Sequence, residues 1–447
     1  MLNKLENWIF YIFLFAVPIS LRHIFGFEPF NFVEWTAVYV YATDLILLAL
    51  FGFWFANWKT ENLLKIENWK LKIKPADWLL LAFVVVAGIS IRNAIDAQTA
   101  VFQWVKLLEG VALYFYIKDY ALKRFKLAHA FEAIVAGATF QAVIAIAQFM
   151  TQGSLGLKYL GESPLAPAMS GIAAFFVDGV KIMRAYGTTP HSNVLALYLF
   201  VALGAFYSIA IYQKRAWFWH VCHALILWAF FLTFSRVVIG LWILNFVILL
   251  ATNTLCPRPG KPVPSVSPEG PLPLLGQRVP AANIKKIVWT TFGVCVAFLV
   301  CYWSYVANRS VISSTDEAVQ LRVLYNKESL TSGQNVFGLG MGNFVPWLMT
   351  QNLHLDREVY QPVHNIYLLI YAEVGIVGIA LFILFLAFLL YDFYKRLFAE
   401  RRIKRLYYFS FALVIVSVLI FGVFDHYLWT IQSGRLIFWL ALGLLAG

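Results

Sequence analysis

The chain has 447 residues, of which 61% are hydrophobic, 17% aromatic and only 13% charged, and its mean hydropathy is +0.73. Soluble domains carry about 25% charged residues, so this composition excludes the soluble globular class. The chain also lacks the alternating segments of a transmembrane β-barrel, and its formal net charge of +12 sits in short connections between apolar runs, a footprint of membrane orientation and not of nucleic-acid binding.

The expected fold is an all-α polytopic membrane protein forming a single integral domain over 1–447. Lys4 and the apolar run 8–20 resemble a signal peptide, but no small-x-small cleavage site follows, so an uncleaved first span is expected. Apolar runs fall near 8–21, 34–56, 78–92, 101–117, 131–150, 191–211, 218–235, 237–252, 287–307, 366–391, 407–424 and 428–446. These predict about twelve spans, each long enough for ~30 Å of hydrocarbon.

With the N-terminus in the cytoplasm, every even-numbered span ends in a basic connection. Examples are Lys59 to Lys74, Lys118 to Lys126, Lys214–Arg215, Arg258 to Lys286, and "YKRLFAERRIKR". The positive-inside rule therefore places both termini in the cytoplasm. Residues 253–286, which contain "CPRPGKPVPSVSPEGPLPLLGQRVP", read as a Pro-rich cytoplasmic linker. Two long connections, 151–190 and 308–365, fall on the extracytoplasmic side, where such loops carry function or small helices of their own. Of the four cysteines, Cys222, Cys295 and Cys301 fall in spans and Cys256 in the linker, which suits structural thiols and not a disulfide framework.

The polar residues of chemical interest gather on the outer face. Arg184 and His191 lie in "MRAYGTTPHSNVLALYL", Arg236 in "LTFSRVVIG", and Arg322 in "QLRVLYNKESL". Gly338, Gly340 and Gly342 lie in "NVFGLGMGNF", His364 and Asn365 open the tenth span, and Asp425–His426 occupy the last outer turn. Each has a plainer reading. His191 starts a helix that Ser192 or Asn193 caps, a membrane-edge arginine snorkels to head groups, and Asp425–His426 form a polar turn. Glu373 takes a hydrogen bond inside the bundle; nine residues after His364 at 100° per residue, it falls on the opposite helix face. The glycines lack the strand–turn–helix setting of a dinucleotide fingerprint; they serve tight turning or close backbone approach to an anion.

Together, guanidinium forks that suit phosphate or pyrophosphate and imidazoles that can act as bases at neutral pH are equipment for a lipid-linked pyrophosphate. There is no acidic cluster to hold a metal.

The segment "HNIYLLIYAEVGIVGIALF" resembles the segment after the large periplasmic loop of the bacterial O-antigen ligase and polymerase family. "TFSR", an arginine ahead of "FGLGMGNF", and "RAYGTTPHSN" are similar to family segments in family order, over about residues 184–446. The resemblance implies a GT-C-like membrane glycosyltransferase of the bacterial inner membrane. Such an enzyme moves a glycan from undecaprenyl pyrophosphate to a glycan, lipid or protein acceptor hydroxyl in the periplasm, without a metal or other cofactor. It implies His364 as the residue activating the acceptor and Arg236 and Arg322 as pyrophosphate ligands. Arg184 joins that set, with His191, Asn365, Gly340 and Gly342 in support. Ligase, polymerase and protein O-glycosylation readings share this equipment. A lipid-linked glycan flippase or other transporter is the rival from another class, for which the midspan polar residues Asp44, Lys106, Gln141 and Glu373 speak.

Overall fold

The computed structural model describes residues 2–25, 33–63, 73–211, 216–255, 281–310, 317–333, 335–351, 356, 359–399 and 402–447. The body of the expected linker, 256–280 with Cys256, lies outside these, as do Lys65, Lys70, Lys72, Lys214, Arg215 and Arg401. The linker's two ends are helical, since 253–255 close one helix and 281–286 open another.

Among the described residues the protein is mostly helical, with little sheet. Six helices are long and apolar enough to cross a membrane: Pro75–Asn93, Ala97–Arg124, Leu127–Thr151, Ser192–Ala210, Asn283–Arg309 and Ile366–Ala399. Five shorter apolar helices accompany them, at Ala42–Asn57, Trp217–Leu232, Arg236–Thr252, Ala412–Phe421 and Gln432–Ala446. The exposed faces are apolar, as hydrocarbon requires: Val300 is 78% and Trp289 69% exposed. Cys222, Cys295 and Cys301 are free thiols.

Two antiparallel hairpins interrupt the helical pattern. Arg22–Phe25 pairs with Val38–Tyr41, so the helix expected from residue 34 begins only at Ala42. Ala174–Val177 pairs with Val180–Met183 inside the 151–190 connection. Its turn is Asp178–Gly179, both with positive φ (50° and 79°), the backbone that matches strand twist in a two-residue loop.

The chain divides into two compact units. The first comprises 1–21, 122–311 and 396–418. Its centre is Leu127–Thr151, which packs on Leu2–Ala16, Ser192–Ala210 and Trp217–Leu232. Gly137 permits this approach, since a Cβ there would lie 2.5 Å from the Tyr198 hydroxyl. Gln141 exchanges two hydrogen bonds with Thr188, through its Nε2 to Oγ1 (2.7 Å) and its Oε1 from the Thr188 amide (2.8 Å).

The second unit comprises 22–121, 312–395 and 419–447. Here Gln432–Ala446 packs on Ala97–Phe115. Two buried lysines and their carboxylate partners hold this core. Lys106 binds Asp44 at 2.5 Å and Glu109 at 2.8 Å, and Gln432 donates to both carboxylates. Lys118 binds Asp77 at 2.5 Å, and the same carboxylate accepts from the Tyr114 hydroxyl and the Lys74 amide. Asp77 is fully buried, so removing its cation strands a charge in a low-dielectric core. Lys118→Ala is therefore expected to cost about 3–5 kcal/mol, seen as a lowered unfolding midpoint in detergent, whereas Lys285→Ala, at an exposed position, leaves that midpoint nearly unchanged.

The Ile366–Ala399 helix is broken at Gly375 (φ 80°, ψ −175°), a backbone region open only to glycine. The break releases two carbonyls, and the glycine-rich segment takes them up: Leu339 N–H donates to Ala372 and Gly340 N–H to Glu373, both at 2.9 Å. A Cβ on Gly375 would lie 2.2 Å from the Val336 carbonyl. Gly375→Ala is thus expected to lose at least ~1–2 kcal/mol from backbone strain alone. Proteolysis near 335–350 would report the loosened segment.

Candidate functional site

The entrance to the Ile366–Ala399 helix lies in the second unit. Asn365 caps it, its Oδ1 accepting from the amides of Tyr367 (2.9 Å) and Leu368 (3.1 Å). That cap fixes the backbone of His364, one residue earlier and half-buried. The His364 ring stacks on Tyr325, with centroids 6.1 Å apart and planes 7° apart, and meets His426 edge-on at 4.9 Å and 88°. Tyr325 lies on the Glu317–Ser332 helix, and its hydroxyl donates to the Val359 carbonyl.

Asp425 and His426 complete the cluster. They are buried (1% and 0% exposed), and one donor atom from each of His364, Asp425 and His426 lies within 4.8 Å of the others. The Asp425 carboxylate accepts from the His426 amide at 2.9 Å, while His426 Nδ1 pairs with Thr430 Oγ1 at 2.7 Å and its ring meets Trp35 at 5.0 Å. The pair forms the polar turn expected of it, and that turn is folded inward.

Arg322 stands one helical turn before Tyr325 and is exposed. Among the described residues no hydrogen bond or ion pair holds its guanidinium. Its charge still reaches the histidine: burial first, and Arg322 second, push the His364 imidazole down to about 3. Both causes favour the neutral ring, while the Pro362 carbonyl beside it works in the opposite direction. The His364 Nδ1 is buried and has no hydrogen-bond partner among the described residues.

The remaining candidates belong to the first unit. Arg184 is 5% exposed and faces inward: its Nε donates to the Thr233 carbonyl and its Nη2 to Asn193 Oδ1 (2.6 Å). It braces the 184–193 segment, a use of its donors that the sequence reading did not foresee. His191 caps the Ser192–Ala210 helix, its Nδ1 accepting from the Asn193 amide at 3.1 Å. Arg236 opens the Arg236–Leu255 helix, is exposed, and makes a long 3.4 Å hydrogen bond to the Arg309 carbonyl. Before it, Phe234 is buried at φ 46°, a strained backbone for an aromatic residue, held by Phe175 at 4.7 Å.

Gly340 and Gly342, expected to turn tightly or to approach an anion, do turn, with φ of 95° and 70°. The Gly340 amide is committed to Glu373. Glu373 itself is buried and accepts from the Phe344 amide (3.4 Å) at the start of Phe344–Thr350, the in-bundle hydrogen bond expected of it. Sequence reasoning missed Tyr325 as a neighbour of His364; its only signal was its place one turn after Arg322.

No protein-family model matches the chain, and no curated protein resembles it closely enough to count as a match.

Proposed function

We propose that this protein is a membrane glycosyltransferase that moves a glycan from a polyprenyl pyrophosphate to an acceptor hydroxyl. The observation that carries the reading is one constellation in the second unit: the His364 ring with a donor atom of the buried Asp425 within 4.8 Å, and an exposed Arg322 one helical turn before Tyr325, on which that ring stacks. The acceptor O–H attacks the anomeric carbon, and its proton passes to His364. The bond from that carbon to the pyrophosphate oxygen breaks, and the polyprenyl pyrophosphate leaves. In-line attack of this kind inverts the anomeric centre. The Arg322 fork meets the charge that grows on the leaving group, and the Asp425 carboxylate stabilises the imidazolium that forms.

Arg236 is also exposed, and its assignment to pyrophosphate rests on the family resemblance. Arg184 enters as a positioning residue, since its donors are used internally. In this reading the five shorter apolar helices and Leu2–Ala16 cross the membrane with the six long ones, giving about twelve GT-C-like spans. The termini are then cytoplasmic and the site faces the periplasm of a bacterial inner membrane. The midspan polar groups that favoured a transporter are committed to partners: Asp44 to Lys106, Gln141 to Thr188, and Glu373 to the Phe344 amide.

Transfer to a finished acceptor, as in an O-antigen ligase, and chain extension, as in a polymerase, use the same chemistry. The surface-glycan profile of a strain lacking the gene separates them. Long chains accumulating on the carrier mark a ligase; an acceptor bearing a single repeat unit marks a polymerase.

A further inference from the structure

We infer that His364, Asp425 and His426 form a binding site for a divalent transition-metal ion of the Zn2+ class, and that such an ion switches the protein off. The second half rests on the function proposed above; the first does not. Two imidazoles and one carboxylate are the donor set that Zn2+, Co2+ and Ni2+ prefer, and one that Mg2+ and Ca2+ do not.

The geometry is close to a ligating one. An ion about 2.1 Å from each of three tetrahedral donors sets those donors about 3.4 Å apart; here they lie within 4.8 Å of one another, so side-chain rotations that bring them up to about 1.4 Å closer complete the site. Two further features belong to metal sites. Thr430 Oγ1 pairs with His426 Nδ1 at 2.7 Å, the outer hydrogen bond that fixes a ligating ring's orientation. The buried Nδ1 of His364 has no hydrogen-bond partner among the described residues, a cost that a bound ion would remove.

An ion seated there takes the lone pair that His364 would offer to the acceptor's proton. Bound metal and acceptor activation are then mutually exclusive.

The test uses the full chain purified in detergent. Equilibrium dialysis against ZnCl2 with elemental analysis is expected to find one Zn2+ per chain, unaffected by excess Mg2+, and Co2+ is expected to give a visible d–d spectrum. His426→Ala and Asp425→Asn should each weaken Zn2+ binding more than tenfold. Should His426→Ala fail to fold, His364→Ala, at a half-buried position, makes the same measurement. No stoichiometric Zn2+, or binding unchanged in His364→Ala, overturns the site. Glycan transfer inhibited by Zn2+ and restored by EDTA supports the switch. Transfer that continues with Zn2+ bound overturns the switch. Bound Zn2+ lost in the variants, from a protein that transfers no glycan, leaves the site standing and removes the function reading.

Discussion

His364→Ala is expected to lower glycan transfer by about 10²–10⁴-fold, the usual contribution of a positioned general base, while the protein still binds its lipid-linked donor. The residue precedes the Asn365 cap, so the helix start survives the substitution. What is lost is a half-buried ring stacked on Tyr325 and edge-on to His426. His364→Gln controls for that packing: it refills part of the volume without supplying a base and should be equally inactive. Donor binding is measured by ligand-induced thermal stabilisation, transfer by release of polyprenyl pyrophosphate. A His364→Gln protein with wild-type transfer would remove the base assignment.

Arg322→Lys is expected to cost about 10²–10³-fold in transfer, comparable to losing one preorganised donor at a developing anion. Arginine and lysine have nearly equal helix propensity, and Arg322 is exposed, so the Glu317–Ser332 helix tolerates the change. Lysine keeps the charge but cannot make the bidentate fork. Arg322→Gln separates the two properties. Arg322 disfavours the imidazolium, so removing its charge moves the His364 pKa upward from about 3, while burial, the larger cause, keeps it below the ordinary histidine value. Imidazole proton shifts followed against pH should rise in Arg322→Gln and stay put in Arg322→Lys. Both variants should be slow, Arg322→Lys through geometry alone.

Long apolar runs made the helices legible, because hydrocarbon demands such runs wherever the chain crosses. Each of the apolar runs read from the sequence has a helix at its place. The hairpins were less visible. The Val38–Tyr41 strand is as apolar as the helix it adjoins, so the run at 34–56 hid a boundary at Ala42. Asp178–Gly179 between Val177 and Val180 did carry a hairpin signal, passed over inside a long connection.

Within the site, His364 and Arg322 stood out by chemistry and position, but burial did not. Arg184 looked like an anion ligand, and only folding shows its donors spent on Thr233 and Asn193. Gly340 looked able to offer its amide to an anion; the partner that takes it, Glu373, is freed by a helix break at Gly375 far along the chain. Asp425 and His426 read only as a polar turn because nothing local distinguishes a turn that faces water from one folded against His364.

The central claim is tested most directly by reconstitution. Purified wild-type protein in detergent is given a synthetic polyprenyl-pyrophosphate glycan and a hydroxyl-bearing glycolipid acceptor, and both products are followed by mass spectrometry. The account predicts free polyprenyl pyrophosphate and glycosylated acceptor in equal amounts, with inverted anomeric configuration, and neither product above background from His364→Gln. Transfer undiminished in His364→Gln, or no transfer by a folded wild-type protein with any acceptor supplied, would contradict it.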